Sequence, residues 1–136
     1  MNRAILASAL ALASAATCVV LAPSASAAAQ SCVTTTLTTG EREGVGSTAY
    51  KSSTSSCRDL NLVYAHDKEG WGDDNYAGRL WHSSGGYWQT CSAGYIGIFD
   101  GSYPVDKYLP CTDVAGGTKF TIASYWAGGD TVKITH

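Results

Sequence analysis

Proline is scarce in this chain: 136 residues hold only Pro23, Pro104 and Pro110. Phenylalanine occurs twice and methionine once. Beyond residue 29, Leu, Ile and Val are also few. No stretch there repeats apolar residues at the 3.6-residue helical period, which excludes a helical bundle and a coiled coil. Charged residues make up 15% and the formal net charge is −2. A basic nucleic-acid binder is therefore excluded. There is no CxxC pair, and no His sits at ligand spacing from two Cys. A zinc site is thus not expected.

One hydrophobic run is long, Ala4 to Ala22. Arg3 gives it a positive start, and Ala25-Ser26-Ala27 and Ala27-Ala28-Ala29 follow as small-x-small cleavage patterns. That combination predicts a secretory signal over 1–29 and a secreted domain over 30–136. A membrane span is not expected, because Pro23 and small residues break the run and no positive stop follows. Cys18 leaves with the leader; Ala15-Ala16-Thr17 before it is a poor lipoprotein match. The domain keeps all fifteen Gly, the four Trp, the eight Tyr and both Phe. It carries eight Lys/Arg against eleven Asp/Glu, a net charge of −3.

Four cysteines remain: Cys32, Cys57, Cys91 and Cys111. An even count in a small secreted domain predicts a disulfide framework, with three possible pairings. Pairing neighbours, Cys32–Cys57 and Cys91–Cys111, suits an antiparallel fold. Each such bridge would contribute roughly 3 kcal/mol by restricting the unfolded chain.

Glycine-rich turns separate short β-type runs. Val33 to Thr39 is extended and Thr-rich. Leu60, Leu62 and Tyr64 alternate with polar residues. Tyr76 to His82 turns through Ser83-Ser84-Gly85-Gly86 into Tyr87 to Cys91, and Tyr95 to Phe99 follows. Val105 to Leu109, between two prolines, is at most a short edge strand. Thr118 to Tyr125 and Thr131 to Thr135 read as a closing hairpin. The pattern predicts an all-β, antiparallel β-sandwich or small barrel of about seven or eight strands.

The acidic loop Asp67-Lys68-Glu69-Gly70-Trp71-Gly72-Asp73-Asp74-Asn75 holds four carboxylates and an amide. Calcium takes six to eight oxygens, so this loop is where a calcium ion would be sought. The spacing is not that of an EF-hand, and Asp, Asn and Gly also make solvated turns. No cofactor is therefore expected, calcium at this loop being the one candidate. His66, Glu69, Arg79 and His82 are residue types that a small nuclease could use as base, acid and phosphate ligand. No serine elbow is present. The aromatic content is high for so small a domain. Exposed Trp and Tyr on a sheet anchor protein partners or stack on sugars.

The Ala-rich leader, the Ala-Gln-Ser-Cys start and a two-disulfide β domain resemble small secreted proteins of streptomycetes and related actinobacteria. That style is shared by inhibitors of extracellular proteases and amylases, chromoprotein-type binding sandwiches, and adaptor subunits of secreted toxin complexes. The Trp-Arg-Tyr loop of the amylase inhibitors is absent.

The expected function is therefore a non-catalytic, extracellular binding protein, such as an adaptor or accessory subunit of a toxin-like assembly. The expected contact residues are Trp71, Asp73, Asp74, Tyr76, Trp81 and Trp88. The expected partner is a protein, with carbohydrate second; neither nucleic acid nor a membrane is expected. One alternative is an inhibitor of an extracellular hydrolase, inserting Asp106-Lys107-Tyr108-Leu109-Pro110. The other is a small nuclease built on His66, Glu69, Arg79 and His82.

Overall fold

The computed structural model describes residues 31–136; the leader expected over 1–29 lies outside them. Nine strands follow in order: β1 (Thr34–Thr38), β2 (Ala49–Tyr50), β3 (Asn61–His66), β4 (Asp73–His82), β5 (Tyr87–Thr90), β6 (Ile96–Phe99), β7 (Gly101–Ser102), β8 (Lys119–Ser124) and β9 (Thr131–Thr135). β2 and β7 are two-residue strands too short to read from periodicity. No helix occurs among the described residues, and none is long and apolar enough to cross a membrane.

The strands form two antiparallel sheets, as expected for a sandwich. One has the order β1-β9-β3-β7; the other has β2-β8-β4-β5, with β6 also beside β4. Alternation gives each sheet one apolar face. Leu37, Leu62, Ala65, Val132 and Ile134 from the first meet Tyr76, Ile98, Phe120 and Ile122 from the second. Few of these are large, which is why a stable domain here calls for covalent help.

That help comes from Cys32–Cys57 and Cys91–Cys111, the pairing expected from sequence, with Cα atoms 5.7 and 5.4 Å apart. Gly78 explains itself beside the second bridge. A Cβ there would run into Cys111 Sγ and lie 3.0 Å from Pro110 Cβ.

Two expectations need correction, and a third, that Val105 to Leu109 is at most a short edge strand, resolves to no strand. Leu62 and Tyr64 do not share a face: a bulge between them shifts the register against β9. Ala65 turns inward instead, and Tyr64 lies outside under the Lys133 ammonium, 5.2 Å from the ring centroid. An extra residue in one strand reverses the alternation beyond it. Val105 to Leu109 forms no strand; Asp106 has a left-handed φ of 69°. The last two strands are not a hairpin. β8 belongs to the five-stranded sheet and β9 to the four-stranded one, so their apolar residues face each other across the core.

The chain thus crosses between sheets after β8, and also after β3 and after β6. These three of the chain's six crossings between the sheets each carry an aspartate: Asp67, Asp100 and Asp130. Asp100 Oδ1 accepts the Asp67 N–H at 2.7 Å, and Asp130 Oδ1 accepts the Lys68 N–H at 2.9 Å. Short polar side chains do here what apolar packing does in a larger core.

At the C-terminal end, His136 is buried against Phe120. Its Nδ1 accepts the Ser52 N–H at 2.9 Å, so Nε2 carries the proton and donates to Thr35 Oγ1 at 3.0 Å. A proton on Nδ1 would face a backbone donor. Burial, and then the Lys51 charge, hold this imidazole below the usual 6.5. Because the folded value is the lower one, the unfolded chain takes the proton first as pH falls. The contribution of His136 is complete above about pH 6.5 and is lost below it. Thermal unfolding of wild type and His136→Gln at pH 7.5 and 5.5 checks this. The wild type should lose more Tm on acidification than the variant; an equal loss would show that His136 does not titrate on unfolding.

Candidate functional site

β4 is the axis of the candidate surface. Its ten residues alternate between the core and the outer face of the five-stranded sheet. Asp74 and Tyr76 face inward and are buried. Neither can touch a partner, which corrects the expectation that they are contact residues. Asp73 is exposed, and Trp81 and Trp88 are half-buried.

The remaining expected contacts separate into two groups. Trp71 and Asp73 lie where β4 begins, and Trp81 lies where it ends, about 26 Å away at the usual strand rise. At the far end Trp81 pairs with Trp88, with ring centroids 5.5 Å apart and planes tilted by 57°. Tyr50 on β2 pairs with Lys119 on β8, which lies beside Trp81. A groove of about 440 Å³ runs between Tyr50, Trp81, Ser83, Thr118 and Lys119.

The near end is organised by Asp67. Its Oδ1 accepts the Glu69 N–H at 3.0 Å; its Oδ2 accepts the N–H groups of Trp71 at 2.5 Å and Gly72 at 3.1 Å. Gly70 and Gly72 have φ of 80° and 87°, which lets the chain double back on this carboxylate. Burial works against the charged form of Asp67, but the three backbone donors outweigh it and hold its carboxyl below the usual range. The indole of Trp71 nonetheless projects into solvent, 66% exposed.

Two more aromatics share that end. Phe99 pairs with Asp73 and is 70% exposed. Trp126 follows β8 and is 64% exposed. Its neighbour Tyr125 donates its N–H to the Asn75 carbonyl at 2.9 Å, which brings this corner alongside the start of β4. Tyr125 packs edge-on against Trp126 and lies under the Arg42 guanidinium, 4.2 Å from the ring centroid. Sequence reading missed Phe99 and Trp126 as contact candidates. The alternation of Phe99 against Ile96 and Ile98 was the available signal for the first; Trp126, beyond the strand, had none.

Beneath Trp71 lies a group of buried carboxylates. Asp67, Asp74 and Asp130 each offer an oxygen, and these three oxygens lie within 4.8 Å of one another. Only two of the four acidic residues of the Asp67–Asn75 loop take part. Glu69 and Asp73 point to solvent. The third carboxylate comes from Gly128-Gly129-Asp130, which reads as a plain turn in sequence. Burial pushes the Asp130 carboxyl up, against the Lys68 N–H bond, and the charges of Asp74 and Asp67 push the same way.

The nuclease set is not assembled. His66 Nδ1 is bound to Asp100 Oδ2 at 2.8 Å, next to Phe99 and the start of β4. His82 closes β4, stacked on Tyr87, about 30 Å away by strand rise. Arg79 is buried and committed: it donates to the carbonyls of Glu43, of Gly44 at 2.8 Å and of Trp88 at 3.3 Å. The segment from Asp106 to Pro110 is held along β3. The Asp106 N–H reaches Asn61 Oδ1 at 2.8 Å, and the Leu62 N–H reaches the Tyr108 carbonyl at 3.0 Å. The Lys107 ammonium sits over the rings of Tyr103 and Tyr108, 4.9 and 5.4 Å from their centroids.

No protein-family model matches the chain, and comparison with curated proteins and with solved structures found no match.

Arg79 is therefore a structural clamp on the loop from Glu41 to Gly46. Replacing it by Ala strands several carbonyls, and a buried unsatisfied acceptor costs about 1–3 kcal/mol. Urea unfolding of Arg79→Ala should show a loss of about 2 kcal/mol or more. A change below about 0.5 kcal/mol, the usual effect of a surface substitution, would refute the clamp.

Proposed function

We propose that this protein is a non-catalytic extracellular binding domain that engages a protein partner through the aromatic end built from Trp71, Phe99 and Trp126. The observation that carries this reading is the Trp71 loop. Here the loop is tied down by three backbone N–H groups on one buried carboxylate, with the indole left outside. A rigid protruding aromatic loses little freedom on association, which is the property of a binding anchor. Asp73 supplies a polar rim beside it.

Two disulfides call for an oxidising compartment. Together with the leader pattern over 1–29, they support a secreted protein. In that setting an adaptor or accessory subunit of an extracellular assembly is the form the function takes. Catalysis is not needed: His66, Arg79 and His82 each have structural partners.

A second reading has its own observation. The groove between Tyr50, Trp81 and Lys119 has aromatic walls and hydroxyl donors, a chemistry suited to a sugar ring. The tilt of Trp81 against Trp88 argues against a flat polysaccharide surface.

Affinity capture from the culture fluid of the source organism distinguishes the two. A double variant, Trp71→Ala with Phe99→Ala, should lose a co-purifying protein partner by tenfold or more. Trp81→Ala with Trp88→Ala should retain it. The opposite pattern, or sugar-dependent elution, would overturn the first reading.

A further inference from the structure

We propose that Asp67, Asp74, Asp130 and Tyr76 form a calcium-binding site between the two sheets, directly beneath the Trp71 loop. The three carboxylate oxygens come from separate crossings and strands, yet lie within 4.8 Å of one another. All three residues are buried, and none forms an ion pair with Lys, Arg or His among the described residues. Three carboxylates so close, with no cation, disfavour one another's charge in a medium that screens poorly.

An independent observation comes from Tyr76. Its side chain is fully buried and its hydroxyl makes no hydrogen bond. That hydroxyl faces the Asp130 carboxylate within side-chain interaction range, with Asp74 beyond it, but without the geometry of a hydrogen bond. Asp130 Oδ2, on the same side, is likewise buried and without a hydrogen bond. Buried polar atoms are nearly always satisfied, so a phenol and a carboxylate oxygen that face one another without bonding leave room for a cation between them. Both are oxygen atoms that a cation would satisfy at once.

The other oxygens are already oriented. Asp74 Oδ2 accepts from the Ser124 hydroxyl, and Asp74 Oδ1 from the Asn75 N–H at 2.5 Å. Asp67 and Asp130 are fixed by the backbone of the Trp71 loop. Asp67 Oδ2 is filled by two N–H groups, but Asp67 Oδ1, both Asp74 oxygens and both Asp130 oxygens each keep a lone pair for a metal. Such outer bonds hold ligands in position before the ion arrives. The donor set is oxygen only, with no imidazole or thiolate among the three carboxylates and the phenol. That selects a hard cation, and an irregular set from three segments suits the flexible coordination of Ca²⁺ better than the strict octahedron of Mg²⁺. Extracellular calcium modules work at Kd of about 10⁻⁴ to 10⁻³ M, which suits a site with few charged ligands.

The test uses the full secreted domain, stripped with a chelator. Isothermal titration should give one Ca²⁺ per chain. Thermal unfolding in about 10 mM Ca²⁺ should shift Tm up by about 5 °C or more, with a smaller shift in Mg²⁺. Asp130→Asn and Asp74→Asn should each lower the affinity by tenfold or more. On the wild-type protein itself, Ca²⁺-induced NMR shifts should centre on the amides of Lys68, Asn75 and Asp130. That measurement decides the location even where a variant fails to fold. Absence of binding at 10 mM, shifts centred elsewhere, preference for Mg²⁺, or unchanged affinity in both variants would each overturn the proposal.

Discussion

The carboxylate of Asp67 accepts three backbone N–H groups, and the organisation of one whole end of the sandwich depends on it. It sits where the chain leaves the four-stranded sheet for the five-stranded one. Its own N–H is held by Asp100, and the next residue's N–H is held by Asp130. Three crossings between sheets are therefore joined by aspartates rather than by apolar side chains. Asp130 is in turn tied to the first strand's exit, where Thr39 Oγ1 accepts its N–H at 3.0 Å. Remove Asp67 and the loop carrying Trp71 loses the three hydrogen bonds that fold it back on itself.

This arrangement follows from what the sequence lacks. With few aliphatic residues the core is thin, and its single Phe, Phe120, is confined to the middle. The ends of the sandwich must be closed by something else. At one end His136 does this, bonded to Ser52 and Thr35. At the other the aspartates do it, and the cost is a concentration of negative charge. The aromatic residues that could have filled that end stand outside instead: Trp71, Phe99 and Trp126. The domain exposes five large aromatics, Tyr50 and Tyr87 besides these three, and the proposed contact role rests on the three gathered at this end.

Much of the fold was legible in the residues. Turn-forming glycines and period-two alternation gave the antiparallel β class, and cysteine spacing gave the disulfide pairing. The β8–β9 relation was not legible, because alternation reports that a strand has one apolar face and not which sheet it joins. The bulge at Leu62–Tyr64 was hidden for a similar reason: Leu62 and Tyr64 fit a regular strand until β9 is beside them. Of the expected contact residues, Trp71 and Asp73 are exposed; the sequence left open whether Trp71 folds back on the core. Asp74 and Tyr76 were misjudged because their neighbours are polar, while their inward direction comes from the pairing of β4 with β6 and β8. Asp130 was invisible, being remote in sequence from the loop it meets.

The central claim is that a buried carboxylate holds the Trp71 loop rigid while its indole stays in solvent. Amide hydrogen exchange measured residue by residue tests it most directly. The account predicts that the N–H groups of Trp71 and Gly72 exchange at least a hundredfold more slowly than in an unstructured chain, and that Asp67→Ala removes this protection while leaving that of β8 and β9 in place. Unprotected exchange at both positions in the wild type would contradict it.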